Sequence, residues 1–314
     1  MTDARLSVAK ENFSAAKPHA APLAFAALLA GNAALALGPL FVRMADVGPV
    51  AAGFWRLALA LPLLTLLALR QMRMNGQGGA HTRLPREALW LAAVGGLFFA
   101  ADLASWHRGI MLTKMANATL LGNSASLILA ATTLLVARRW PLRTEALAIV
   151  LAGGGTALLM HSSSQQGEAR LTGDLLCLLA GILYAGYMLS MQRARGTMGS
   201  WQVLALSTAM GVLPLLGIAF ALDEQIMPQN WGPVLMLALS SQLIGQGLLI
   251  YALPHFSALV VGLTLLCQPV IAAMVGRAIY GEQLTAMDIA GGVLIGGALL
   301  LIRLPAPQST GTGK

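Results

Sequence analysis

Charge is scarce in this 314-residue chain: Asp, Glu, Lys and Arg together make 10% of it, against about 25% in a soluble globular domain. That excludes an ordinary water-soluble globule. Cysteine is scarcer still. Cys177 and Cys267 both sit inside apolar runs, with none of the paired spacings that read as zinc, haem or thioredoxin-like sites, so two buried free thiols are expected. No Walker A glycine loop, metal-ligand cluster or nucleophile elbow occurs, which argues against an ATP-driven pump on this chain and leaves no metal and no cofactor expected. His107, His161 and His255 are scattered at the ends of apolar runs, whereas an integral-membrane enzyme needs acid and base groups converging at one depth.

What is abundant is apolar: 57% hydrophobic residues, 34 Gly, 15 Met and a mean hydropathy of +0.73. Runs near 20 apolar residues, separated by charged or turn-rich breaks, predict ten membrane-spanning helices. They cover about 22–43, 49–69, 87–107, 115–136, 142–161, 170–192, 200–221, 231–252, 256–279 and 285–303. The breaks include Arg70 to Arg86 with its Asn75-Gly76 turn, Arg138 to Pro141, His161 to Gln166 and Asp223 to Asn230. Residues 1–21 carry mixed charge and no apolar core, so the first run is read as a retained helix behind a polar tail.

Lys and Arg are distributed unequally across these breaks. Arg5, Lys10, Lys17, Arg70, Arg73, Arg83, Arg86, Arg138, Arg139, Arg143, Arg193, Arg195, Arg303 and Lys314 fall on one side. Arg43, Arg108, Lys114, Arg170 and Arg277 fall on the other, with Arg56 inside a span. The positive-inside rule then makes both termini of a multi-pass membrane protein cytoplasmic. The formal net charge of +8 and the sequence pI near 10.2 are thereby accounted for as a topological signal facing anionic lipid. No nucleic-acid partner is expected, because no basic face with interleaved aromatics appears.

The chain also resembles itself. Leu28-Leu29-Ala30-Gly31 recurs as Leu178-Leu179-Ala180-Gly181, and Leu61-Pro62-Leu63-Leu64 as Leu213-Pro214-Leu215-Leu216. Ala148 to Leu159, with Gly153-Gly154-Gly155, lies over Ala290 to Leu301, with Gly296-Gly297. Two five-helix repeats are expected, 22–161 and 170–303, followed by a cytoplasmic tail at 304–314. Five spans is an odd number, so the second copy enters the membrane inverted, as in secondary transporters with a site between the halves. Pro62 and Pro214 each remove a helical hydrogen bond and are expected as hinges.

Ala52-Gly53-Phe54-Trp55-Arg56-Leu57, Gln268-Pro269-Val270-Ile271-Ala272-Ala273 and Tyr280-Gly281-Glu282-Gln283-Leu284-Thr285 together resemble the EamA-type permeases of the drug/metabolite transporter superfamily. Gly281-Glu282-Gln283-Leu284 is similar to the family's GE-x-L element. Arg139-Trp140-Pro141-Leu142 departs from it in the first half. Within the family the chain looks most like bacterial amino acid exporters. The resemblance implies ten helices in two repeats and efflux of small metabolites.

Polar groups inside spans are costly in hydrocarbon and usually face a bundle interior or a water-filled cavity. Asn32, Asn123, Ser126, Gln242, Gln246 and Gln268 fall near one depth and are expected to bind a polar substrate, with interhelical bridging as the competing use. Tyr184 and Tyr187, spaced i, i+3, are expected to line the cavity, with Trp106, His107 and Tyr251 as further contacts. Aromatic walls with neutral amides suit a zwitterionic amino acid whose side chain is apolar. Arg56 and Asp102 lie at similar depths in the outer half, and are expected to pair and help close an external gate. Gly292-x-x-x-Gly296 and Gly153-x-x-x-Ala157 are small-residue patterns that let helices pack closely. Monomer and homodimer both remain open, as does a non-transporting assembly role. The expected function is a secondary transporter exporting small metabolites, most of all amino acids.

Overall fold

A computed structural model of the chain describes residues 20–74, 86–125, 127–128, 132, 138, 140–194, 198–252, 255–256, 260 and 264–301. Among these residues no strand occurs. That follows from the apolar runs, because in lipid each backbone N–H and C=O must be satisfied within its own segment. The helices are α1 (Ala20–Ala36), α2 (Gly38–Met44), α3 (Pro49–Met74), α4 (Arg86–Leu112) and α5 (Met115–Gly122). They continue as α6 (Arg143–Gln165), α7 (Glu168–Ala194), α8 (Ser200–Ala221) and α9 (Trp231–Leu237). A π-helical segment, Ala238–Gly245, joins α9 to α10 (Gln246–Ala252), and α11 (Cys267–Tyr280) and α12 (Ala286–Leu301) complete the described chain.

Among the described residues seven helices are long and apolar enough to cross a membrane: Pro22–Met44, Pro49–Met74, Arg86–Leu112, Arg143–Gln165, Glu168–Ala194, Ser200–Ala221 and Trp231–Leu249. Ala286–Leu301 is apolar but shorter. The chain is a multi-pass membrane protein. The expected fourth and ninth spans are present as the short helices α5 and α11. Much of their remainder lies outside the described residues, as do most of both tails and the loop at 75–85.

Element ends follow local chemistry. The first span bends at Leu37, just before Pro39, which has no N–H to continue the ladder. The sequence reading placed a break at His161 to Gln166, but α6 runs on through Ser162 and Ser163 to Gln165. Their hydroxyls have partners inside the bundle, so polarity does not end the helix there: Ser162 Oγ meets Thr285 Oγ1 at 2.9 Å. α11 closes at Gly281, whose φ of 64° is left-handed backbone that suits glycine. Thr285 and Asp288 cap α12 reciprocally, with N–H to side-chain oxygen distances of 2.8 and 3.1 Å.

Packing pairs helices that are far apart in sequence. α4 against α7 is the most extensive contact, followed by α6 on α12, α3 on α8 and α4 on α8. α1 packs on α10 and the π segment, α3 on that same segment, and α5 on α11. Pro62 and Pro214 both lie inside unbroken helices, α3 and α8. One end of the bundle holds Arg43, Lys114 and Glu282; the other holds Arg70, Arg193 and Trp201.

Candidate functional site

Polar side chains gather at mid-length, where helices lose their regularity. The fourth span turns at Asn123 and Ser124, and the ninth at Leu266, one residue before α11 begins. Gln268 Nε2 donates to Asn32 Oδ1 at 2.6 Å, joining the ninth span to the first. Asn32 Nδ2 donates to Leu28 O at 2.8 Å and to Thr264 Oγ1 at 3.4 Å. Asn123 Nδ2 reaches Gln268 Oε1 at 3.5 Å. Three of the amides expected to share a depth are therefore in one hydrogen-bonded group, with Asn32 fully buried. Ser126 lies outside the described residues.

A second group surrounds the π segment. The extra residue per turn rotates Gln242 relative to a regular helix: Gln242 is fully buried, whereas Gln246, four residues on, is half-buried. Arg56 Nε donates to Gln242 Oε1 at 3.1 Å, and Gln242 Nε2 to Thr208 Oγ1 at 3.4 Å, tying α3, the π segment and α8 together. Gln246 lies near the Tyr184 side chain. The Tyr184 and Tyr187 rings lie 5.5 Å apart. Tyr187 stacks on Phe99 of α4 at 4.6 Å with 17° between the planes, a ring pair not anticipated from sequence.

Arg56 and Asp102 are both buried, 3% and 7% exposed. They lie near each other, but they do not form an ion pair within 4 Å; the pairs of that kind among the described residues are elsewhere. His107 is fully buried. Its Nδ1–H donates to Pro49 O at 2.9 Å, while Nε2 has no partner. Trp106 donates from Nε1 to Ala118 O at 3.2 Å and lies between Gly38 and Gly122, where an added Cβ would stand 3.7 and 3.1 Å from its ring. Tyr251, 43% exposed, lies against His255 at the far end of α10, apart from both groups.

At the Arg43 end the two halves of the chain are stitched together by residues outside the set expected at the site. Arg43 Nη1 meets Glu282 Oε1 at 2.7 Å, Arg43 Nε donates to Ile110 O at 3.0 Å, and its guanidinium lies 4.9 Å above the Tyr280 ring. Glu282 Oε2 also accepts the Met115 N–H at 3.0 Å. Lys114 pairs with Asp288, both almost fully buried. Glu224 accepts the Val50 and Ala51 N–H groups at 2.8 and 2.9 Å, and Asp46 those of Gln229 and Asn230 at 2.9 and 2.8 Å. Trp55 Nε1 donates to Ile226 O at 2.7 Å. The signal for these residues in the sequence is their position: charges at the ends of apolar runs, on the side poor in Lys and Arg. At the opposite end the Trp201 N–H meets Gln71 at 3.1 Å, and a cleft between α3 and α8 is lined by Thr65, Ala68, Met198 and Gln202.

Residues 171–304 match the profile of the EamA-like transporter family. No curated protein matches the chain. One similar solved structure, described only as the crystal structure of a protein, superposes with a TM-score of 0.56 at 16% identity. The alignment covers 95% of this chain and 100% of that one. That likeness extends the fold, and the fold alone, over nearly the whole length.

Proposed function

We propose that the chain is a secondary transporter that exports small metabolites, with amino acids bearing aromatic or other apolar side chains as its substrate class. The observation that carries this reading is the mid-length polar layer. Asn32, Asn123 and Gln268 form one hydrogen-bonded group and Arg56 and Gln242 a second, where the fourth, eighth and ninth spans depart from regular α-helix. Irregular backbone at membrane depth is tolerated where it is buried in protein or lines a cavity, and broken helices at the midplane are how transporter folds present polar groups to a substrate. The match of residues 171–304 to the EamA-like transporter family points the same way.

The packing pattern supports two inverted five-helix repeats. Advancing every span by five converts α4 on α7, the third span on the sixth, into the eighth on the first, which is the observed contact of α10 and the π segment with α1. α3 on α8, α5 on α11 and α6 on α12 each join a span to its own counterpart. In this reading the Arg43 end is periplasmic, and its cross-links hold the outward side closed while the site awaits substrate from the cytoplasm.

Counterflow is the test: the purified chain in liposomes, preloaded with unlabelled amino acid, is offered the same labelled amino acid, across a panel that includes phenylalanine, leucine and glutamate. Accumulation of aromatic or apolar members is expected. Verified folded protein that moves no solute would end the transporter reading.

A further inference from the structure

Two ionisable side chains of opposite sign lie inside this bundle without forming an ion pair. Arg56 of α3 and Asp102 of α4 are almost entirely buried and close enough to interact electrostatically, yet they stand outside ion-pair contact. Asp102 makes no hydrogen bond among the described residues. One of the five N–H donors of Arg56 is engaged there, on Gln242. A buried charge is stable when it is paired and hydrogen-bonded. Two groups of opposite sign that lack such partners in a low-dielectric interior can be satisfied by a ligand that carries the complementary charges. Next to them, His107 Nε2 is a buried acceptor without a partner, because its Nδ1–H is committed to Pro49 O. Three residues before Asp102 on α4, the Phe99 ring stacks on that of Tyr187, whose other neighbour is the Tyr184 ring 5.5 Å away.

We propose that Arg56 and Asp102 are the two poles of a zwitterion receptor: the substrate's carboxylate lies on the Arg56 guanidinium, its ammonium on the Asp102 carboxylate, and its apolar side chain along the Phe99–Tyr187 stack. This rests on the transporter reading and names the recognition chemistry of that same site. The charges serve substrate recognition, and closure of the Arg43 end is left to Arg43–Glu282 and Lys114–Asp288.

Binding to the purified full-length protein tests the idea without requiring transport. Three probes differ by one charge at a time: phenylalanine, phenethylamine, which lacks the carboxylate, and 3-phenylpropionate, which lacks the ammonium. The wild type is expected to bind phenylalanine about 10- to 100-fold more tightly than either analogue, the range given by losing one charge-assisted hydrogen bond. Arg56→Gln should erase the preference for phenylalanine over phenethylamine while keeping that over 3-phenylpropionate, and Asp102→Asn should do the reverse. Equal binding of all three probes by the wild type overturns the proposal even if neither variant folds, and so does unchanged discrimination in folded variants. If phenylalanine does not bind while the same preparation counterflows another solute, the receptor is wrong and the transporter stands. If no solute moves either, both readings fall.

Discussion

Gly153 and Gly155 lie two residues apart on α6 and have opposite surroundings. A Cβ at Gly155 would come within 2.7 Å of Gly291 O and 2.8 Å of Ile295 Cγ1, and one at Gly291 within 2.8 Å of Gly155 O. A Cβ at Gly153 would meet nothing within 4 Å. Gly155→Val should therefore separate α6 from α12 and destabilise the protein by about 1–3 kcal/mol, the usual cost of overpacking. Gly153→Ala should be neutral or stabilising by a few tenths to about 1 kcal/mol, as in any exposed helix interior. The midpoint of thermal unfolding in detergent, followed by tryptophan fluorescence, checks both. At this scale the sequence was only partly legible. The residue types that would have to be near one depth could be read from span arithmetic, and Asn32, Asn123 and Gln268 do meet. What could not be read was which neighbour each would touch: Arg56 bonds Gln242, and Tyr187 stacks on Phe99, through contacts between residues 186 and 88 positions apart. No local pattern encodes such pairings, because they depend on how whole helices are rotated.

Elements were more legible, and their irregularities less so. A run of about 20 apolar residues is enough to predict a spanning helix, and among the described residues seven such helices are present with ends near those expected. The turn at Asn123 and the π segment at 238–245 left no comparable mark, since Leu, Ala, Ser and Gln are ordinary helix residues that tertiary packing can push either way. The two prolines make the opposite lesson. Each sits inside a helix that continues past it, so each forgoes one backbone hydrogen bond. If Pro62 and Pro214 serve as hinges, restoring the bond stiffens the span. Pro62→Ala should raise the thermal midpoint, or leave it unchanged, while slowing counterflow severalfold. A variant that transports at the wild-type rate would show the proline to be structural.

For the whole molecule the decisive asymmetry is between its two ends. Arg43–Glu282, Lys114–Asp288, Glu224 on the α3 N-terminus and Asp46 on Gln229 and Asn230 all join the chain's first half to its second at the Arg43 end. Both ion pairs are poorly solvated, and removing one partner strands a buried charge. Glu282→Gln should thus loosen that end, and the exchange Arg43→Glu with Glu282→Arg should restore it in part, since the pair's attraction survives while the Arg43 bond to Ile110 O does not. Accessibility reads this directly. In a background with Cys177 and Cys267 replaced, a cysteine at half-buried Gln246 should react with a membrane-impermeant maleimide slowly from the Arg43 side, faster by about 10-fold in Glu282→Gln, and at an intermediate rate in the exchange; 10-fold corresponds to a shift of about 1.4 kcal/mol in the closed-to-open balance. The same reagent fixes orientation. Met227, 62% exposed, and Trp140, 93% exposed, lie at opposite ends of the bundle, so a cysteine at 227 should label in intact cells and one at 140 only after permeabilisation. If 140 labels in intact cells and 227 does not, the Arg43 end faces the cytoplasm. The transport cycle would then have to be drawn from the other side of the membrane, with the 14 Lys and Arg that the sequence reading assigns to one side defying the positive-inside rule.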